Sequence, residues 1–467
     1  MTMTAPRTDG LPSVAQNRHM QFKRRSAAAD LLVIATWTSG AIAVALFLAA
    51  HGPAQFGTLA AAVTSVGIIC GLVGSDLILV MLVLAARIPL VDRAVGHDRA
   101  MKLHRRLGKP GLYLLLGHGL ILLVGYALAA KVDVVSEVGA IWALPDLPLA
   151  IIGLGLFIVV VVTSLVAVRR RFPYEFWHVI HLLSYVAVAF AIPHQFSEGG
   201  VLAGGLSRYY WIALYVVALG SILVFRFISP LVKSLVHDIR VSGIEVVGPD
   251  VVSIHLAGRD LRTLGSAGGQ FFVWRFWTGA TWWHSHPVSL SATPTDTAAR
   301  ITVRALGNGS TELGTLPAGT RVWFEGPYGL FTDAARTSPK LAIVAAGIGV
   351  TPVRALLEHS RLAPGEATIL LRASSDRQSY LWDEMEQLAH DRQAQFYTMV
   401  GPRPPHVDTW LSQRDHERHV SLRSTFPDLA NSDLYICGPQ AWTDLVVEDA
   451  RAAGLPSHQI HTERFDW

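Results

Sequence analysis

The chain has 467 residues, of which 51% are hydrophobic and only 16% charged, with a net charge of +4 and a mean hydropathy of +0.37. Soluble domains carry about 25% charged residues, so this is not simply a large cytosolic enzyme, and its length allows two or three domains. Cys70 and Cys437 are the only cysteines, which excludes a disulfide framework, a four-thiolate iron–sulfur cluster and a cysteine zinc site.

Six apolar runs reach the length of about 20 residues that a helix needs to cross a bilayer. They are Leu31–Ala50, Leu59–Ala86, Gly111–Ala130, Leu149–Val168, the shorter His178–Pro193, and Tyr209–Ile228. The first lacks a cleavage pattern and reads as a retained anchor. Lys23, Arg24 and Arg25 precede it, Arg87 to Lys109 is strongly basic, and Arg169, Arg170 and Arg171 follow the fourth run. The loop between the third and fourth runs carries Asp133, Glu137 and Asp146 instead. Positive charge marks the cytoplasmic side, so the expectation is a multi-pass protein of the plasma membrane with both termini in the cytoplasm. The same topology accounts for the basic balance without a nucleic-acid partner.

Ionisable side chains inside a span are costly and point to function. His104 and His118 are 14 residues apart on the third span, just under four turns and about 21 Å of helix, so they face one way near opposite membrane surfaces. His181 and His194, 13 apart on the fifth, have a similar separation but share no face on an ideal helix; Pro193 can unwind that turn. The spans run in the same direction, so His104 pairs in height with His181 and His118 with His194. Two imidazoles facing across a bundle can fill both axial positions of a haem iron. Zinc is the poorer use, because the two levels are too far apart to share an ion. A proton relay would enlist carboxylates, for which Asp76 is the obvious candidate. His51 and His178 are read equally well as headgroup-facing.

Beyond Lys233 the texture changes to short β-branched and aromatic segments, Val251–Leu256, Phe271–Trp274 and Ile301–Ala305, which predict a small antiparallel barrel or sandwich. His286-Pro287-Val288-Ser289 closes one strand, and Gly307-Asn308-Gly309-Ser310-Thr311 offers a turn with exposed N–H groups suited to a pyrophosphate. From Lys340 strand and helix alternate, predicting a parallel sheet. Strand LAIVAA runs into Gly347-Ile348-Gly349-Val350-Thr351-Pro352, a glycine turn that admits a diphosphate, with a helix from about Pro352. It lacks the third glycine of the Rossmann fingerprint. Strand ATILLRA and a helix over Asp383–His390 follow. Strand DLYI ends in Cys437-Gly438-Pro439, and the chain stops at Glu463-Arg464-Phe465-Asp466-Trp467.

Taken together, these motifs resemble the bacterial branch of the ferric reductase and NADPH oxidase superfamily over about Leu31 to Trp467. The resemblance implies a cytoplasmic tail (1–29), a six-helix transmembrane haem domain (30–232), an antiparallel FAD-binding barrel (237–336) and an α/β NAD(P)H-binding domain (338–467). It implies two haems b held by His104, His118, His181 and His194. His286, Pro287, Val288 and Ser289 correspond to the family's H-P-F-[ST] flavin motif, with Val288 in place of the usual aromatic. Ser310 and Thr311 should bind the FAD diphosphate. Gly347, Gly349, Thr351 and Pro352 should hold the nicotinamide cofactor's diphosphate, Cys437 and Gly438 should lie near its ring, and Trp467 should cover the flavin and move aside for hydride transfer. Arg372 and Arg377, with Ser374, follow the second strand of the last domain and lean toward the NADPH phosphate over NADH, although Asp376 stands among them.

The function so implied is NAD(P)H-driven electron transfer through FAD and the haems to an acceptor outside. Ferric iron is favoured over oxygen because no appended EF-hand loop is present. Two other readings are a haem-binding cytochrome subunit serving a partner and a membrane-tethered flavin reductase without haem.

Overall fold

The computed structural model describes residues 14–169, 171–172, 174–197, 202, 204–279, 281–305 and 307–463. One compact unit holds Ala28–Phe227, and a second takes in the described residues up to Ala27 together with those from Ile228 onward.

The first unit is helical because lipid leaves a backbone no other partner than itself. Six helices are long and apolar enough to span a membrane. They are α1 (Val14–His51), α2 (Leu59–Ala85), α3 (His97–Ala130), α4 (Leu147–Ser164), α5 (Tyr174–Ser197) and α6 (Gly205–Ile222). Several of the expected spans start before their apolar runs, α1 at Val14 instead of Leu31. α3 starts at His97 instead of Gly111, and α5 at Tyr174 instead of His178, because the flanking charged and aromatic turns continue the helix beyond the hydrocarbon. The turn at Pro193 is not unwound: α5 stays helical through it to Ser197. Asp133 caps a short helix (Val134–Trp142), accepting from the N–H groups of Val135 and Ser136 at 3.0 Å.

α2 packs along α3, and α4 along α5. Glycines set the first contact: a Cβ at Gly67, Gly71 or Gly74 would run into Leu122, His118 or Leu115 of α3. Small residues on one helix stripe are how membrane helices approach closely without a hydrophobic drive between them.

In the second unit, α7 (Ser229–His237) leads into two three-stranded antiparallel sheets. β1 (Arg240–Gly248), β2 (Val251–Ala257) and β5 (Ala298–Arg304) form one in the order β1-β2-β5. β3 (Phe271–Phe276), β4 (His286–Ser289) and β6 (Val322–Tyr328) form the other in the order β4-β3-β6. Bridges Arg240–Arg321 and Leu290–Ile301 join them around a core that includes Phe272, Trp274, Ile301 and Phe324. A short helix α8 (Asn308–Glu312) follows β5.

The chain then builds a five-stranded parallel sheet from β7 (Lys340–Ala346), α9 (Val350–His359), β8 (Ala367–Ala373), α10 (Trp382–Asp391), β9 (Gln395–Val400), β10 (Ser432–Cys437), α11 (Gln440–Ala452) and β11 (Ile460–Glu463). Its order is β11-β10-β7-β8-β9. β7, β8 and β10 are buried almost throughout, as strands covered on both faces are. The glycine turn is one 3₁₀ turn over Gly347–Gly349 that passes directly into α9, so the helix begins two residues before Pro352, which occupies its first turn.

Candidate functional site

Within the helical unit, His104 and His181 face each other with ring centroids 6.2 Å apart and planes at 60°. His104 Nδ1 is 3.1 Å from the carbonyl of Met81, and His118 Nδ1 is 2.9 Å from that of Gly67. In each ring Nδ1 therefore donates to a carbonyl of α2, which leaves Nε2 as the lone-pair nitrogen. The absence of a side chain at Gly71 makes room for the His118 ring, which a Cβ there would strike. His194 interacts electrostatically with His118.

Around His181 the structure adds residues that sequence reasoning missed. Trp177 stacks on the His181 ring at 5.0 Å, and the Arg169 guanidinium lies over Trp177 at 4.7 Å. Ser164 Oγ accepts from Trp177 Nε1 at 3.3 Å and is 3.4 Å from His181 Nδ1. His178 is half-buried beside Trp177. No three His, Cys, Asp or Glu side chains converge on a common point among the described residues. Asp76 is fully buried and accepts from Ser39 Oγ at 2.6 Å.

A pair of axial imidazoles has a demanding geometry. Two metal–nitrogen bonds of about 2 Å each, added to the distance from each nitrogen to its ring centre, put the centroids roughly 6 Å apart. The His104–His181 spacing meets this, so these side chains fit a bis-histidine haem iron.

The flavin motif lies on β4, paired with β3 so that Phe271 opposes Ser289, Phe272 Val288, Val273 Pro287 and Trp274 His286. Trp274 Nε1 donates to the Val288 carbonyl at 3.0 Å, fixing the strand. Ser289 Oγ and His286 Nε2 are both buried without a partner. Buried polar groups are normally satisfied, and a polar heterocycle such as a flavin would satisfy both. Burial, with His284 and Arg275 nearby, lowers the pKa of His286 to about 4, so its ring is neutral. In α8 the hydroxyls of Ser310 and Thr311 bond the carbonyl of Gly307 at 3.0 Å. They close their own turn.

Gly347 has φ +55°, and a Cβ on Gly349 would collide with the backbone of Cys437 and Gly438. Only glycine allows that contact, which joins the carboxyl ends of the adjacent parallel strands β7 and β10. This is the crossover point of the sheet, where nucleotide ligands enter open α/β folds. The structure thus brings together Gly347, Gly349, Cys437 and Gly438, with Thr351 and Pro352 buried just behind; Thr351 Oγ1 donates to the Ile348 carbonyl at 3.0 Å. Cys437 is fully buried, and that burial, reinforced by Glu463, raises its pKa well above the usual value. Its thiol is protonated, which excludes a thiolate nucleophile. Glu463, paired in register with Cys437, joins the site as a residue the sequence reading quoted but did not assign. Trp467 and the side chain of His51 lie outside the described residues.

The expected phosphate cations separate. Arg377 is exposed. Arg372 is buried, donating to the carbonyls of Ala373 and Gly401, with Nε unpartnered and its pKa lowered by that burial.

An ionic network that the sequence did not reveal fixes the barrel to the parallel-sheet domain. Glu384 receives Arg300 through both oxygens at 2.8 Å and Arg354 Nε at 2.6 Å. Arg354 also donates to the Ser291 carbonyl at 2.9 Å, and Glu358 accepts from the Thr293 N–H at 2.5 Å. Although burial opposes it, pairing with the two arginines holds the Glu384 carboxyl below its ordinary value. A second bridge runs from Tyr380, whose hydroxyl donates to Asp250 at 2.6 Å.

Comparison with known proteins gives a family match in each half of the chain. Residues 70–192 match the ferric reductase like transmembrane component family, and residues 343–448 the oxidoreductase NAD-binding domain family. The chain is 34% identical over 173 residues to ferredoxin–NADP reductase B of Sorangium cellulosum, covering 34% of this chain and 68% of that protein. It is 26% identical over 182 residues to NADH-cytochrome b5 reductase 1 of Candida glabrata, covering 36% of this chain and 64% of the relative. Against the probable metalloreductase AIM14 of Yarrowia lipolytica it is 26% identical over 256 residues, 54% of this chain and 44% of the relative. The chain therefore spans between 44% and 68% of these relatives' lengths. A ferric-reductase-like helical half, followed by a two-part reductase module whose glycine turn meets Cys437 at the sheet's crossover, makes this chain a multi-pass NAD(P)H-dependent oxidoreductase of the ferric reductase and NADPH oxidase superfamily.

Proposed function

We propose that the protein moves electrons from cytoplasmic NADPH across the plasma membrane to chelated ferric iron outside, using one FAD and two haems b. The observation that carries this reading is the opposed His104–His181 pair, 6.2 Å between ring centres, with the Nδ1 of His104 held by the Met81 carbonyl. When bound, the flavin converts a two-electron donor into single electrons and the haems provide their path through lipid.

The chain's own residues bind, orient and exclude water. His104 and His181 would hold the inner iron, and His118 and His194 the outer one. Ser289 and the neutral His286 would hydrogen-bond the flavin along β4, with Pro287 and Val288 beside them. Ser310 and Thr311 shape the turn whose N–H groups would face the FAD diphosphate. Gly347 and Gly349, with Thr351 and Pro352 behind, leave a side-chain-free surface for the dinucleotide. The protonated Cys437 thiol, with Gly438 beside it, would back the nicotinamide site as an uncharged wall. Arg377, exposed after β8, supports the preference for the NADPH phosphate, and Arg372 braces the strand end from beneath. Trp467 keeps the flavin-covering role that the resemblance gives it.

Basic residues at Lys23–Arg25, Arg87–Lys109 and Arg169–Arg171 support placing both termini in the cytoplasm. Similarity to a probable metalloreductase supports iron as the acceptor. The test is the full chain in proteoliposomes with NADPH on the reductase side and a ferric chelate on the other. The expected result is a bis-histidine haem spectrum that NADPH reduces, with ferrous iron appearing at a matching rate. Superoxide in place of ferrous iron would move the protein to the oxidase branch. A preparation with flavin and no haem band would reduce it to a tethered flavin reductase.

A further inference from the structure

α7 is amphipathic in the wrong sense for water. Its inward contacts are polar: Ser234 Oγ accepts from the Phe324 N–H of β6 at 3.2 Å, Lys233 Nζ donates to the Gly326 carbonyl at 3.0 Å, and His237 Nδ1 is 2.8 Å from the Arg259 carbonyl. Its outward face is apolar, with Leu231, Val232, Leu235 and Val236 between 41% and 58% exposed. A soluble amphipathic helix does the reverse.

The same sheet carries a second apolar feature. The turn between β3 and β4 presents Trp277, Trp282 and Trp283 at 47%, 53% and 51% exposure. It is a built turn: Thr281 is buried and donates to the Phe276 carbonyl at 2.8 Å, and its Oγ1 lies 2.7 Å from that of Thr278. Trp277 also packs on Trp323 of β6 at 4.8 Å, and its N–H donates to the carbonyl of the exposed Arg321 at 2.9 Å. Large exposed apolar patches mark an interaction surface, and tryptophan is the side chain favoured at the boundary between hydrocarbon and headgroups.

Chain continuity identifies the occupant. α6 is followed in the chain by one π-helical turn, Leu223–Ile228, and then by α7, so Gly205–His237 counts 33 consecutive helical residues with an apolar spanning window. Spanning takes about 20, which leaves the α7 end at the membrane surface with its apolar side outward. We propose that the barrel rests on the bilayer itself, with the outer face of α7 and the Trp277/Trp282/Trp283 turn inserted at headgroup depth and Arg321 directed to anionic lipid.

Spin labels test this on the full chain in nanodiscs of zwitterionic and anionic phospholipid. In a Cys70→Ala background the buried Cys437 is expected to stay unlabelled, which the parent checks. Labels are placed at Trp282→Cys and Leu235→Cys, and at Glu386→Cys, an exposed position on α10, as the aqueous reference. The expected result is that the labels at 282 and 235 relax with oxygen and are shielded from a water-soluble nickel complex, while the label at 386 shows the opposite. Free access of nickel to position 282 would overturn the proposal, and so would shielding from both reagents, which would mean a protein surface or a second copy covers the turn. Trp282→Phe with Trp283→Phe supplies a check without labelling. The fluorescence missing from that variant should be the component that brominated lipid quenches roughly twofold or more, as expected for rings at headgroup depth; an unquenched component also overturns the proposal.

Discussion

In the helical unit, His104 and His118 are each held by a hydrogen bond to a backbone carbonyl, whereas in the reductase unit Glu384 takes contacts from two arginines. The difference follows from solvent. Inside lipid a counter-charge is costly, so a helix carbonyl, already present and neutral, orients the imidazole. At a water-facing domain boundary, charges are affordable when several share one cluster, and their geometry fixes two domains against each other. One unit therefore depends on close helix packing and the other on charge pairing, and substitutions should separate the two.

The largest effect belongs to the helical unit. His118→Ala should remove one of the two haems and abolish ferric reduction while NADPH still reduces the flavin, read from the haem-to-protein ratio and the flavin absorbance. Gly71→Ala should cause the same outer-site loss with all four histidines intact, because its Cβ would occupy the place of the His118 ring. In the reductase unit, Glu384→Ala removes the carboxylate shared by Arg300 and Arg354, which are 14% and 11% exposed, and leaves Arg354 only Glu358 as a counter-charge. It should cost about 3 kcal/mol, measured by denaturant unfolding of the NAD(P)H-binding half, with little change in the haem spectrum.

A smaller effect separates the units by pH. The folded value of His286, about 4, is below the ordinary value of 6.5. The unfolded chain therefore binds the proton first, and stability is complete above about pH 6.5 and declines as the pH falls toward 4. At pH 5 the loss should be about 2 kcal/mol, and His286→Gln should remove that slope from the melting curve of the flavin-free protein. The smallest effect is expected for Gly155→Ala on α4, where a Cβ meets nothing within 4 Å. Its stability should stay within about 0.5 kcal/mol of the parent, a contrast that shows Gly71 acts through position and not through helix propensity.

Membrane spans, the antiparallel and parallel sheets, and the glycine turn could all be read from the sequence, because each depends on local pattern: a run of apolar residues, a period of two, or glycines at a strand end. The limits of α3 and α5 could not, because Arg105, Arg106 and Trp177 continue a helix after the lipid that demanded it has ended. For the mismatch of His181 and His194 on an ideal helix, Pro193 offered a kink or an unwound turn; the turn is helical, because neighbouring contacts in a bundle can tolerate the lost hydrogen bond. Arg372 looked like a phosphate ligand from its place after β8; the strand end instead buries it against two carbonyls. Trp177 over His181 and the Glu384 cluster depend on residues brought together only by the tertiary fold, and no local pattern announces them.

The carbonyl anchors carry one more consequence. Met81 and Gly67 are 14 positions apart on α2 (81 − 67), as His118 and His104 are on α3 (118 − 104), and the contacts pair the early residue of one helix with the late residue of the other. The interval of about 21 Å is thus written twice, in two antiparallel covalent rulers laid side by side. A thermal slip of α2 would strain both anchors together, and stretching the interval requires unwinding a helix. Tunnelling rates fall steeply with distance, so the pace of any electron hop between the two levels is set by peptide geometry and is insulated from the sequence of the lipid-facing surface.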